Sequence, residues 1–194
     1  MKERIILGID PGTNILGYGI LKVTLNNKPQ VLAMGVIDLR KCTDTYIKLG
    51  RIYERVMGII DAYQPDELAI EAPFFGKNVQ SMLKLGRAQG VTIAAAISRK
   101  INIHEYAPLK IKQLVTGNGQ ASKEQVANML KMMLHIQSES INFLDATDAV
   151  AVAYCHYLQN TGKNIAVKTG AGKSGKNSWE NFVKGNADRV HKPR

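Results

Sequence analysis

The stretch ILGIDPGT, residues 6–13, decides how the rest of the chain is read. Apolar and small residues run directly into Asp10, and Pro11-Gly12-Thr13 then turns the chain. Such a run reads as a buried strand carrying one carboxylate at its carboxyl end. Three readings are open for that position. Asp10 holds a divalent metal, the turn cradles a nucleotide phosphate, or the aspartate simply stabilises the turn.

The surrounding residues organise outward from this strand. NILGYGILKVT and QVLAMGVIDLR follow it, separated by LNNKPQ, whose Asn-Asn and Pro mark a turn. The three segments are expected to form an antiparallel meander. From about Thr43 to Tyr63 the period changes to that of a helix, with Ile47, Ile52, Val56, Ile59 and Ile60 at helical spacing and Pro65 just beyond. DELAIEA is a second apolar run ending in a carboxylate, Glu71. It arrives after a helix, so it is expected to lie parallel to the first strand.

Residues 78–99 read as a long helix in which Gly86 and Gly90 lie four apart on one face. Glycine weakens a helix, so that face is expected to meet another backbone closely. INIHEYA is a fifth strand. A basic helix and turn, PLKIKQLVTGNG, comes next, then SKEQVANMLKMMLH with Ser122 as its N-cap, then NFLDATDAVAVAYCHYL. The expected class is α/β, a five-stranded mixed sheet flanked by helices.

Length and composition suit one domain over residues 1–160 with a basic tail over 161–194. The tail is rich in Gly, Lys, Ser and Asn and is expected to be flexible. It carries eight Lys or Arg and two acids, a net +6 of the chain's +10. A basic chain of this size favours a polyanionic partner such as nucleic acid. No apolar run reaches the roughly 20 residues of a membrane helix, and MKERIILGID is charged too soon for a signal peptide. Cys42 and Cys155 stand alone and are expected to be reduced, in a cytoplasmic protein. No Cys/His cluster is visible in the sequence, so a zinc site is not expected.

The carboxylates carry the chemistry. Asp10 and Glu71 end two strands expected to be parallel, and open α/β sheets build ligand sites at that edge. Asp145 and Asp148 are three apart in a helix and share a face. Small neighbours, Ala146, Thr147 and Ala149, let that face approach the sheet. Four converging acids need counter-charge, and Mg²⁺ suits an all-oxygen set. Two such ions about 4 Å apart can activate a water and stabilise a leaving oxygen in an in-line phosphoryl displacement. His156 stands 11 residues beyond Asp145, about 16 Å along a helix, and cannot share that metal.

ILGIDPGT…GYG, AIEAPFFGKN, SMLKLGRAQG and DATDAVAVA, in this order and spacing, resemble the bacterial RuvC Holliday-junction resolvase family from about Ile5 to Tyr157. The resemblance implies a ribonuclease H-like fold, a homodimer acting on four-way junction DNA, two Mg²⁺ per active site, and catalytic acids at Asp10, Glu71, Asp145 and Asp148. It implies DNA contacts at Phe74, Lys112 and Lys123, with Phe75 beside Phe74 as the alternative aromatic. It also implies branch-migration proteins as partners. The tail, with Trp179 in NSWENFVK, is not covered by the resemblance.

Three rivals stand against this reading. An actin-like ATPase would use the same first turn but needs a second such domain. A related nuclease of RNA metabolism would share the fold. A non-catalytic junction-binding protein would need no acid cluster. GAGKS, residues 170–174, imitates a phosphate loop, but Val167 stands where that motif requires glycine.

Overall fold

The computed structural model describes residues 2–73, 78–136 and 144–161. Phe74, Phe75 and the 162–194 segment, including Trp179, lie outside the described residues. The elements run β1 (Arg4–Asp10), β2 (Ile15–Val23), β3 (Pro29–Asp38), α1 (Thr45–Tyr63), β4 (Glu67–Glu71), α2 (Val79–Ser98), β5 (Asn102–Tyr106), α3 (Pro108–Thr116), α4 (Lys123–Leu134) and α5 (Leu144–Asn160). The sheet order is β3-β2-β1-β4-β5. β1, β2 and β3 form the expected antiparallel meander, while β4 and β5 join in parallel. The mixed sheet follows from the connections: short turns give antiparallel neighbours, and helical crossovers give parallel ones.

The two faces of the sheet bury separate cores. On one, Leu7, Ile9, Leu68 and Ile70 pack with Ile52, Val56 and Ile60 of α1 and with Ala88, Ala95 and Ala96 of α2. On the other, Ile6, Leu21, Val23 and Ala69 pack with α3, α4 and most of α5. Alternation along β1 divides its side chains between the two cores. α1 starts at Asp44, whose carboxylate accepts from the backbone N–H of Tyr46 and Ile47, and stops at Gln64 in the left-handed region, just before Pro65. Ile47, read from its spacing as a core position, is 63% exposed instead. It stands in the first turn of the helix, on the side away from Ile52, Val56 and Ile60.

α5 lies close on the sheet because glycines make room for it. A Cβ on Gly8 would stand 2.1 Å from the Ala149 carbonyl oxygen, and one on Gly17 would stand 2.0 Å from that of Asp145. Both contacts are with backbone, which cannot swing aside. Residues 146–158 of α5 are buried except Asp148. Gly86 and Gly90 of α2 behave differently. A Cβ at either meets nothing within 4 Å among the described residues, so no part of the chain described packs there. Val79, Leu83 and Ile97 of the same helix are 64%, 53% and 60% exposed.

Candidate active site

Asp10 and Glu71 are the last residues of β1 and β4. The strands are parallel neighbours with Ile9 opposite Ile70, so both carboxylates leave the sheet at one edge and one level. β1 also pairs with β2, and there Asp10 stands opposite Gly17. Directly opposed residues share a face. With no side chain at Gly17, the Asp145 carbonyl settles onto it, which brings the first turn of α5 beside Asp10. Asp148 follows three residues on and faces the same way. Oxygens of Asp10, Asp145 and Asp148 lie within 4.8 Å of one another. Glu71 stands beside this group and lines the same cleft as Asp10 and Asp148.

Two lysines enter the cleft from the side. Lys123 is the first residue of α4, placed there by a capping box in which the Ser122 hydroxyl accepts from Gln125 N–H and the Gln125 side chain accepts from Ser122 N–H. Its ammonium hydrogen-bonds the Asp148 carboxylate and stands 3.7 Å from Asp145. Lys112 of α3 lines the cleft and lowers the ionisation cost of Glu71 and Asp148. The cleft has a volume of about 530 Å³.

The acids are not at ease in it. Burial, then the charges of Glu71 and Asp148, push the Asp10 carboxyl up to about 8. Burial, then Asp148, pushes Glu71 up to about 7. Burial also raises Asp148, against the bond from Lys123. Lys123 itself is desolvated, which lowers it, but the bond to Asp148 and the surrounding acids raise it overall. Two ammonium groups therefore face four carboxylates, and the deficit of positive charge shows as the raised Asp10, Glu71 and Asp148. An all-oxygen donor set with this deficit fits hard dications of the Mg²⁺ type.

The structure thus brings Asp10, Glu71, Asp145, Asp148, Lys112 and Lys123 together. Two further contributions were not legible in the sequence. Leu109 and Gln120 wall the cleft, although Leu109 reads as an ordinary apolar helix position; it is 59% exposed. Lys48 of α1 donates to the Thr13 carbonyl at 3.1 Å and to Asn14 Oδ1 at 2.9 Å, tying down the turn that follows Asp10. A charged residue in a surface helix carries no sequence signal of that reach.

The family model described as crossover junction endodeoxyribonuclease RuvC matches residues 6–156. A protein of that name from Bacteroides fragilis is 61% identical over 191 residues, 98% of this chain and 97% of its own length. Its namesake from Porphyromonas gingivalis is 56% identical over 190 residues, 97% of this chain and 98% of its own. Among solved structures, Thermus thermophilus RuvC in complex with a Holliday junction substrate superposes with a TM-score of 0.74 at 29% identity, covering 81% of this chain and 94% of that one. The matched span holds both strand-end acids, both acids of α5 and the two cleft lysines, in a sheet of the same build: the chain belongs to the RuvC family of crossover junction endodeoxyribonucleases.

Proposed function

We propose that the chain resolves four-way DNA junctions by paired, symmetric nicks, and that Asp10, Glu71, Asp145 and Asp148 are its metal-holding catalytic residues. The observation that carries this reading is the convergence of Asp10, Asp145 and Asp148 within 4.8 Å, in a cleft where Asp10 is pushed up to about 8 for want of positive charge. Asp10, Glu71, Asp145 and Asp148 would hold Mg²⁺, two ions per site, which would supply that charge and the polarisation of water and leaving oxygen that a hydrolysis giving 5′-phosphate and 3′-hydroxyl ends requires. Lys112 and Lys123 bind the phosphates on either side of the acids. Lys123 gives up Asp148 to do so once its carboxylate has another counter-charge. Leu109 and Gln120 form the wall against which the adjacent nucleotide rests. Phe74, three residues beyond Glu71 in the sequence, supplies an aromatic ring for unpaired bases, worth roughly 1–3 kcal/mol per stacked base.

A junction is roughly two-fold symmetric, and one cleft cannot reach both scissile positions. A two-fold dimer can. The α2 face bearing Leu83, Gly86 and Gly90 is its interface: apolar side chains are exposed there, and the glycines leave room for a second backbone. Residues 1–160 form the nuclease domain. Residues 161–194, with a net charge of +6, add salt-sensitive DNA affinity. Branch-migration proteins are its partners in junction processing, and the cytoplasm is its compartment; among the described residues no helix is long and apolar enough to cross a membrane. The test is Asp10→Asn, which removes a charge at nearly constant shape. Junction binding is expected to persist and Mg²⁺-dependent nicking to be lost. Near-normal nicking by this variant would remove Asp10 from the proposed site.

A further inference from the structure

A second cluster lies on the same sheet face, at the opposite end. Glu67 opens β4, four residues before Glu71 and so about 13 Å from it along the strand. On β5, His104 pairs with Ala69, which places it diagonally beside Glu67 on the face covered by α5. His156 of α5, fully buried, lies over both; its ring centroid is 4.3 Å from that of His104. One ligand atom from each of Glu67, His104 and His156 falls within 4.8 Å of the other two.

We propose that Glu67, His104 and His156 form a binding site for a dication of the Zn²⁺ class, separate from the carboxylate cleft. Three features of the geometry support this. The His156 Nε2 to Glu67 Oε2 distance is 3.1 Å. Two atoms held about 2.0–2.1 Å from a tetrahedral ion stand roughly 3.3 Å apart, so little movement is needed. The far nitrogen of His156, Nδ1, is engaged by the Tyr106 hydroxyl at 2.6 Å. In the tautomer in which Nδ1–H donates to the Tyr106 oxygen, this outer partner fixes the ring and leaves Nε2 for the metal. Finally, the Asn160 side chain reaches the same Nε2 at 3.0 Å, close enough to offer its amide oxygen as a fourth ligand after a flip.

Arg4 Nη1 shares the Glu67 carboxylate at a long 3.5 Å, and this contact yields when the ion enters. Glu67 and His104 are partly exposed and give a path from solvent. The two clusters would sort metals by donor type. Two imidazoles and one carboxylate select zinc-like ions, whereas the oxygen-only cleft selects magnesium. The site would staple β4, β5 and α5 together at the end of the sheet away from the acids.

The experiment uses the untagged chain, residues 1–194, equilibrated with Zn²⁺ in the presence of excess Mg²⁺, desalted, and measured for bound metal and thermal unfolding. The expected result is one Zn²⁺ per chain and a Zn²⁺-dependent rise in Tm of several degrees. His104→Ala should weaken Zn²⁺ binding at least tenfold and abolish the Tm rise, with Mg²⁺-dependent nicking kept. Asp145→Asn should keep the Zn²⁺. Glu67→Gln repeats the test if His104→Ala folds poorly, and Co²⁺ loaded on the unaltered chain should give the visible bands of a tetrahedral site. Failure of the unaltered chain to retain Zn²⁺ would overturn the proposal. So would Zn²⁺ that is lost in Asp145→Asn but kept in His104→Ala.

Discussion

Asp10→Asn should make the metal-free protein more stable at pH 8 while removing its activity. Asp10 is pushed from an ordinary 3.8 up to about 8, chiefly by burial and then by Glu71 and Asp148. Between those two values the folded chain holds a proton that the unfolded chain has released. Stability therefore falls as pH rises from about 4 to 8 and levels off above. At 1.36 kcal/mol per pH unit, the cost at pH 8 is about 5 kcal/mol. Asparagine cannot ionise and avoids it, but its amide needs partners in a buried setting, a cost of about 1–3 kcal/mol. The net gain is then about 2–4 kcal/mol, or roughly 4–16 °C in Tm for a chain of this size. At pH 4, below the raised value and near the ordinary one, the gain should disappear. Thermal unfolding in EDTA at pH 4, 6 and 8 measures this directly. Added Mg²⁺ should then raise the Tm of the unaltered protein more than that of the variant, because binding to the folded state alone stabilises it. Equal stability of the two proteins at pH 8 in EDTA, or a gain unchanged between pH 4 and 8, would refute the reasoning.

Gly17→Ala places a methyl group 2.0 Å from the Asp145 carbonyl oxygen, so α5 must shift. A loss of about 1–3 kcal/mol in denaturant unfolding is expected, with nicking reduced more than junction binding because Asp145 and Asp148 move with the helix. Gly86→Arg should leave the monomer folded, since a Cβ there meets nothing within 4 Å, but should halve the mass seen in sedimentation and abolish paired cuts. Deletion of 161–194, net +6, should preserve nicking at saturating protein and weaken junction binding by a margin that narrows as salt rises, read as a shallower slope of log affinity against log salt for the shortened chain.

Much of this arrangement was legible from residue patterns. ILGID and LAIE ended in carboxylates, and a helix between them implied parallel neighbours, which is how β1 and β4 pair. The three-residue spacing of Asp145 and Asp148, with small residues around them, announced a helix face pressed on a sheet. What placed that face over Asp10 was harder to read. It depends on Gly8 and Gly17 standing under backbone carbonyls of α5, and their role is defined only by the register between β1 and β2. Ile47 shows a different limit: at about 100° per residue it stands across the helix from Ile52, Val56 and Ile60, so an apolar residue type alone does not place it on the buried stripe. Glu67, His104 and His156 carried no signal at all, because 37 and 52 residues separate them and only the β4–β5 pairing and the path of α5 bring them together.

The central claim is that one dimer makes two coordinated cuts in a four-way junction. A supercoiled plasmid carrying an extruded cruciform tests it most directly, with Mg²⁺ added to preformed complexes and competitor DNA present to prevent rebinding. Two cuts within one binding event convert the plasmid to linear form, whereas a single or uncoordinated cut leaves nicked circles. Mostly linear product is expected from the unaltered chain, and no cutting of a linear duplex under the same conditions. Nicked circles alone, or equal cutting of duplex and junction, would contradict it.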